Sequence, residues 1–147
     1  MIRQAVFDDA DSIMELVEKF YYKTDYATFA PFDYETVFEL TKMLIDTGVV
    51  LVGVMDNVIV GVIGLVVAPF MFNKSKLGAY EVIWYVEKSA MQLGVGGALL
   101  AGIEPACKEK GIELIQMVHL SSSPPQAGEM YLKMGYKHSE SSYTKVI

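Results

Sequence analysis

Cysteine is nearly absent from this 147-residue chain: Cys107 stands alone. One thiol closes no internal disulfide. With only two histidines beside it, His119 and His138, it falls short of a four-ligand structural zinc centre without several carboxylates, so no metal is expected. A reducing, cytoplasmic setting fits that scarcity. Basic residues are also few. Twelve Lys and Arg against eighteen Asp and Glu leave a formal charge of −6, which opposes binding to a phosphate backbone or an anionic lipid surface, so neither nucleic acid nor membrane is an expected partner. A secretory-type apolar segment is missing near Met1, where Asp8, Asp9 and Asp11 charge the chain early. The apolar stretch from Val49 to Phe72 breaks at Asp56-Asn57, and the piece from Val58 to Phe72 is shorter than the roughly 20 residues of a membrane helix. The chain is rich in apolar side chains, 52% of residues against 20% charged. Such a chain must fold to hide its surface, and its length suits one domain spanning residues 1–147.

Periodicity orders the elements. Ile2 to Phe7 reads as a strand, and Ile13, Leu16, Val17 and Phe20 at helical spacing come after the Asp cluster, which supplies N-cap and first-turn charge. Tyr21, Tyr22, Tyr26, Phe29 and Phe32 fall in an aromatic loop. Asp33 then opens a second helix that Gly48 stops. Val49 to Met55 and Val58 to Val67 form a hairpin about Asp56-Asn57, Pro69 to Gly78 reads as loop, and Ala79 to Val86 is another strand. A helix from Val95 to Lys110 is expected to kink or end early at Pro105 and to stop at Gly111. Ile112 to Leu120 reads as strand, Ser121 to Gln126 as loop, Ala127 to Met134 as a short helix, and Tyr136 to Ile147 as a final strand. The order β-α-α-β-β-β-α-β-α-β predicts an α/β fold, a mixed sheet with helices on both faces.

Between the fourth strand and its helix lies Gly94-Val95-Gly96-Gly97. Glycines there let the backbone approach a ligand, and the unsatisfied N–H groups of the helix start suit a pyrophosphate. Two commoner phosphate motifs fail: the dinucleotide pattern would need glycine at Leu99, and a P-loop would need Lys followed by Ser or Thr. Close helix–sheet packing is the competing reading of the same glycines.

The segment Met91-Gln92-Leu93-Gly94-Val95-Gly96 resembles the acyl-CoA motif of the GNAT superfamily of N-acetyltransferases: Arg or Gln, two residues, Gly, one residue, then Gly or Ala. The opening IRQA, the VGVMDNVIVGVIG hairpin, the IWYV strand and MYLKMGY extend the resemblance over nearly the whole chain; the last carries a Tyr-x-x-x-Gly-Tyr signature at Tyr131, Gly135 and Tyr136. The resemblance implies acetyl-CoA as co-substrate. Tyr85 and Val86 would pair with the pantetheine arm, and Met91, Gln92, Leu93, Gly94, Val95, Gly96 and Gly97 would receive the phosphates. It also implies that Tyr131 lies near the thiol. Met91 replaces the family's Arg or Gln, with Gln92 beside it as a partial substitute, and Ser121-Ser122-Ser123-Pro124-Pro125 stands where the family often has Asn.

Amine acetylation requires a free amine, an oriented thioester and a proton for the departing thiolate. Tyr131 is the candidate donor, with packing against Met134 as the alternative, and Glu81 is the candidate base, with a surface carboxylate as the alternative, since strand alternation does not decide its face. His119 is a weaker candidate base; His138 and Cys107 read as structural. The aromatic loop is either a satellite cluster or a substrate lid. The acidic balance favours a cationic acceptor such as a polyamine, an aminoglycoside or a lysine side chain. The expected function is transfer of an acetyl group from acetyl-CoA to a primary amine, on a small molecule or peptide, by direct attack in a ternary complex. The alternative is a catalytically degenerate module that binds CoA or a protein. A toxin-like tRNA acetyltransferase would want a basic surface, and a homodimer is compatible with either reading.

Overall fold

The computed structural model describes all residues from Met1 to Ile147. Strands β1 (Ile2–Gln4), β2 (Val49–Met55), β3 (Val58–Phe70), β4 (Asn73–Val86) and β5 (Leu114–Gln116) lie in that spatial order; the first four are antiparallel and β5 runs parallel to β4. Helices α1 (Ala10–Tyr21) and α2 (Tyr34–Thr47) precede β2, α3 (Val95–Glu109) joins β4 to β5, and α4 (Pro125–Lys133) comes after β5. The two-residue period of β2 sorts the core. Val49 and Leu51 join Val95, Leu99, Leu100, Ile103 and Tyr131 on the α3–α4 face, whereas Val50 and Val52 join Ile13, Leu16 and Leu44 on the α1–α2 face.

Local chemistry accounts for most boundaries. Asp56 and Asn57 both adopt positive φ (50° and 64°), the conformation of the primed hairpin turn that matches strand twist. Asp33 caps α2 by accepting from the Thr36 amide at 3.0 Å. Asp9 precedes α1 without capping it: its carboxylate takes the Arg3 guanidinium at 2.7 and 2.9 Å and the Val6 amide at 2.8 Å. That pairing holds the Asp9 carboxyl below its usual range, the Arg3 hydrogen bond contributing most.

Five expectations need correction. The opening strand ends at Gln4 rather than Phe7, where a 3-10 turn over Phe7–Asp9 begins. The stretch from Pro69 to Gly78 is not loop: β3 and β4 continue as a long hairpin with Met71-Phe72 at its tip. Pairing with β2 ends at Leu65, so Pro69 stands where β3 has β4 as its only neighbour, an edge-like position that tolerates proline. Pro105 does not end α3, which runs to Glu109; Ala101 and Pro105 are both exposed, so water can take the carbonyl that the missing N–H leaves free. The fifth strand keeps only Leu114 to Gln116 of the expected Ile112 to Leu120. The final strand does not form. Every residue from Lys137 on is exposed, so its alternation has no apolar face to bury and no pairing to reward.

Candidate active site

β4 and β5 separate almost at once. They pair only from Gly78 with Leu114 to Tyr80 with Gln116, leaving the β5-facing edge of β4 from Glu81 to Val86 without a strand partner. Five steps of strand span about 17 Å, enough to lead an extended ligand from the end of β4 to Glu81. Opposite that edge, Glu81 pairs with Leu65 and Ile83 with Gly64, so Val82 is an extra residue, a β-bulge. The bulge reverses the alternation. Glu81 shares the face of Leu65, which belongs to the α3–α4 core, while Ile83 and Tyr85 face α1 and α2.

Tyr131 reaches the same place from α4. Its position in the Tyr-x-x-x-Gly-Tyr signature has a backbone cause: Gly135, at φ +89°, ends the helix, its amide donating to the Leu132 carbonyl at 3.2 Å, and the Tyr136 amide donates to the Tyr131 carbonyl at 3.0 Å. This double hydrogen bond is the Schellman stop, and its usual apolar contact is made by the Tyr131 and Tyr136 rings, 5.7 Å apart. Trp84 packs on the other side of Tyr131 at 5.6 Å. So held, the Tyr131 hydroxyl donates to the carbonyl of Val118 at 2.8 Å, while the amide of Val118 donates to Glu81 Oε2 at 2.6 Å. The two side chains that the sequence points to as acid and base thus hang on one residue, at the point where β4 and β5 part. Val118 carries no sequence signal of this role, since its contribution is backbone and leaves no mark on residue type.

Burial dominates the electrostatics here. Desolvation pushes the Glu81 carboxyl up to about 7, with the Val118 amide and Tyr131 hydroxyl pulling the other way. It raises the Tyr131 phenol well above its ordinary value, reinforced by the nearby Glu81 charge. Tyr136 is pushed up to about 12 and Cys107 to about 11, both chiefly by desolvation. The carboxyl is therefore poised near neutrality, and the phenol stays protonated at any working pH. His119 lies outside this pair, its Nε2 3.1 Å from the Pro124 carbonyl, and His138 lies 3.4 Å from Ser141 Oγ. In the serine loop, Ser121 donates to Asp25 Oδ2 at 2.6 Å, tying the segment after β5 to the aromatic loop, and Ser123 accepts from the Leu120 amide at 2.9 Å.

A cleft of about 1470 Å³ runs from the aromatic loop to the opening between β4 and β5, with Phe20, Tyr21, Tyr26 and Phe32 on one wall and Glu81, Val118, His119 and Tyr131 on another. Tyr85, Val86 and residues 91–97 do not line it; they sit at the far end of the unpaired edge. There Lys88–Leu93 form a 3-10 turn, Gly94 takes φ +79°, which glycine alone adopts freely, and α3 begins. The first helical bond runs from the Ala98 amide to the Gly94 carbonyl at 3.0 Å, so the amides of Val95, Gly96 and Gly97 open the helix without intrahelical partners. A Cβ on Gly97 would meet nothing within 4 Å, and one on Gly96 would only touch Val86 and Trp84, at 3.5 and 3.8 Å. The Trp84 indole N–H is buried without a hydrogen-bond partner, its Nε1 4.0 Å from that Cβ position. An orphan donor, an unpaired strand edge and an open glycine turn beside one another fit an extended ligand carrying carbonyls and phosphates. Met91 and Leu93 are exposed, while Ala90 beneath them is buried and anchors the turn.

The sequence profile of the Acetyltransferase (GNAT) family matches residues 10–136. The chain belongs to that family. As a GNAT protein it is an acetyl-CoA-dependent N-acetyltransferase. A possible acetyltransferase from Clostridium difficile 630 is 17% identical with a TM-score of 0.75, covering 100% of this chain and 97% of that one. An aminoglycoside acetyltransferase from an uncultured soil metagenomic sample, solved in complex with sisomicin, is 19% identical with a TM-score of 0.72, covering 100% and 94%. AAC(6')-Iy, in complex with a bisubstrate analog, CoA-S-monomethyl-acetylneamine, is 12% identical with a TM-score of 0.76, covering 100% and 97%. At these identities the likeness is one of fold. No curated protein sequence matches the chain. No helix is long and apolar enough to cross a membrane.

Proposed function

We propose that this GNAT protein transfers the acetyl group of acetyl-CoA to a primary amine by direct attack in a ternary complex, with Glu81 as general base and the Tyr131 hydroxyl as hydrogen-bond donor to the departing sulfur. The observation that carries the reading is their convergence on Val118 at the fork of β4 and β5. In this reading the CoA phosphates rest on the amides of residues 91–97, the pantetheine arm follows the unpaired edge past Val86 and Tyr85, and Trp84 Nε1 donates to one of its carbonyls. The thioester then lies beside Glu81. The amine nitrogen bonds to the acetyl carbon as the carbon–sulfur bond breaks. Glu81 takes the proton that the nitrogen sheds, and sulfur leaves as thiolate toward the Tyr131 hydroxyl. A phenol held above its ordinary pKa gives up its proton reluctantly, so Tyr131 acts mainly by turning its O–H from the Val118 carbonyl to the sulfur and hydrogen-bonding it as charge develops there. The buried free thiol of Cys107 supports a reducing, cytoplasmic setting.

Thiol release from acetyl-CoA across a panel of amines, measured beside thermal melting, tests the proposal. Acetyl-CoA at 100 times its dissociation constant should stabilise the fold by about 2.7 kcal/mol, with no effect from NAD or ATP. Replacing Gly96 by Ile should abolish the shift by filling the approach to the turn. Binding without thiol release for any amine would leave the non-catalytic CoA-binding module as the reading.

A further inference from the structure

The walls of the cleft on the α1–α2 side are apolar to an extent that the acidic composition of the chain hides. No charged side chain among residues 13–70 lines it. Val17, Val37 and Leu40 form its inner wall, and the Thr41 hydroxyl beside them is spent on the Met14 sulfur at 3.4 Å. Tyr21, also in the lining, packs on Phe32 at 5.7 Å and donates its hydroxyl to the Ala30 carbonyl, so these rings offer carbon surface. Four carboxylates line the rest of the cleft: Glu81, Glu104, Glu113 and Glu140. Glu104 is paired with Lys108 and Glu113 with Lys76, at 2.8 and 3.0 Å, and Glu140 accepts from Gln116 at 3.1 Å. Glu140, whose only partner is a neutral amide, keeps its charge, but it lies on the exposed C-terminal segment, so Glu81 is the one carboxylate where β4 and β5 part.

We propose that the acceptor is a monoamine on an apolar body, an alkyl or aralkyl amine, seated with its carbon skeleton between α1, α2 and the aromatic loop and its nitrogen at Glu81. A polyamine or an aminoglycoside seated there would bring further ammonium groups against α1–α2 walls that hold no carboxylate, and each would have to shed water without compensation. Net charge, which favours cations in general, acts on encounter; the walls decide what stays. The inference rests on amine acetylation as proposed above.

The test compares n-propylamine, n-hexylamine, 1,6-diaminohexane and kanamycin as acceptors, with saturating acetyl-CoA and thiol release as readout. Hexylamine and diaminohexane share one skeleton and differ by one ammonium. The expected kcat/KM rises about fourfold per methylene from propylamine to hexylamine, the ~0.8 kcal/mol of burying a methylene converted at 1.36 kcal/mol per tenfold. The diamine is expected at least about tenfold below hexylamine. Val37→Asp should raise the ratio of diamine to hexylamine turnover, and Tyr26→Asp, at a wall position 48% exposed, gives the same readout should the first variant fold poorly. No dependence on chain length, a diamine or kanamycin rate above that of hexylamine, or a ratio unmoved in the variants overturns the apolar acceptor and leaves amine acetylation standing. No thiol release with any amine overturns the functional reading, and this inference with it.

Discussion

The two faces of the sheet are built on opposite principles. Toward α3 the contact is close: Gly53 and Gly61 face each other across β2 and β3, and a Cβ would come within 2.6 Å of Val95 Cγ1 from Gly53 and 3.0 Å of Leu99 Cδ1 from Gly61. The helix that opens with the glycine turn is thereby wedged against the strands. Toward α1 and α2 the same sheet borders a cleft whose walls include Val17, Leu40 and Tyr26. In the proposed reaction, the first face would fix the acyl donor and the second would leave room for the acceptor. Rigidity and space come from a single set of strands because alternate residues face opposite ways.

The largest effect should come where the faces communicate, at Glu81. Glu81→Gln keeps the shape and the Val118 contact but removes the base, so kcat/KM at pH 8 should fall by about 10²–10⁴, or roughly 3–5 kcal/mol of barrier. In the wild type the rate should rise with pH through about 7 as the carboxyl ionises, and the variant should lose that limb. Stability should run the other way. With its folded pKa above the usual 4.5, the folded chain binds the extra proton between those values, so stability is greatest below that window and declines as pH rises through it. Urea unfolding should show a loss of about 2 kcal/mol between pH 5 and 8 in the wild type and a flatter profile in Glu81→Gln.

Tyr131→Phe keeps the ring between Trp84 and Tyr136. Single-turnover thiol release should fall about 10²-fold, at the lower end of general-acid help because the phenol is a reluctant acid, with acetyl-CoA affinity little changed by calorimetry. A change confined to KM would make Tyr131 a binding contact. The contrast between the faces is probed directly by two substitutions. Gly53→Val should cost about 1–3 kcal/mol by overpacking against Val95, whereas Tyr26→Ala on the opposite side should change stability by no more than about 0.5 kcal/mol. Equal costs in chemical denaturation would erase the distinction. On ligand binding, the smallest effect is expected at Trp84. Trp84→Phe removes one donor to the proposed acyl-CoA arm, weakening binding about fivefold, near 1 kcal/mol, while unfolding stability falls by no more than about 1 kcal/mol, the lost packing on Tyr131 being partly offset by removal of a buried unpartnered N–H.

Much of this was legible along the chain because its causes are local. Asp56-Asn57 turns the hairpin by its own φ preferences, Asp33 caps its own helix, and Gly94 takes the φ that only glycine takes freely. The stop at Gly135, which holds Tyr131 against Tyr136, spans six residues and is written in them. Pattern failed where pairing decided. Tyr136 to Ile147 alternates without a strand to join, and Pro69 to Gly78 has the residues of a loop but lies in a long hairpin.

The amino-acid sequence by itself determined the turns, the helix caps, the apolar periodicity and the motif that marks a GNAT acetyltransferase, because each depends on residues within a few positions of one another. Only the tertiary structure decided which way Glu81 points. One bulged residue, Val82, fitted against Gly64 and Leu65 of a neighbouring strand, shifts the alternation of β4 and sets the carboxylate beside Tyr131, fifty positions away in the chain. Strand register is a sum over long-range pairs, and no window of sequence contains it.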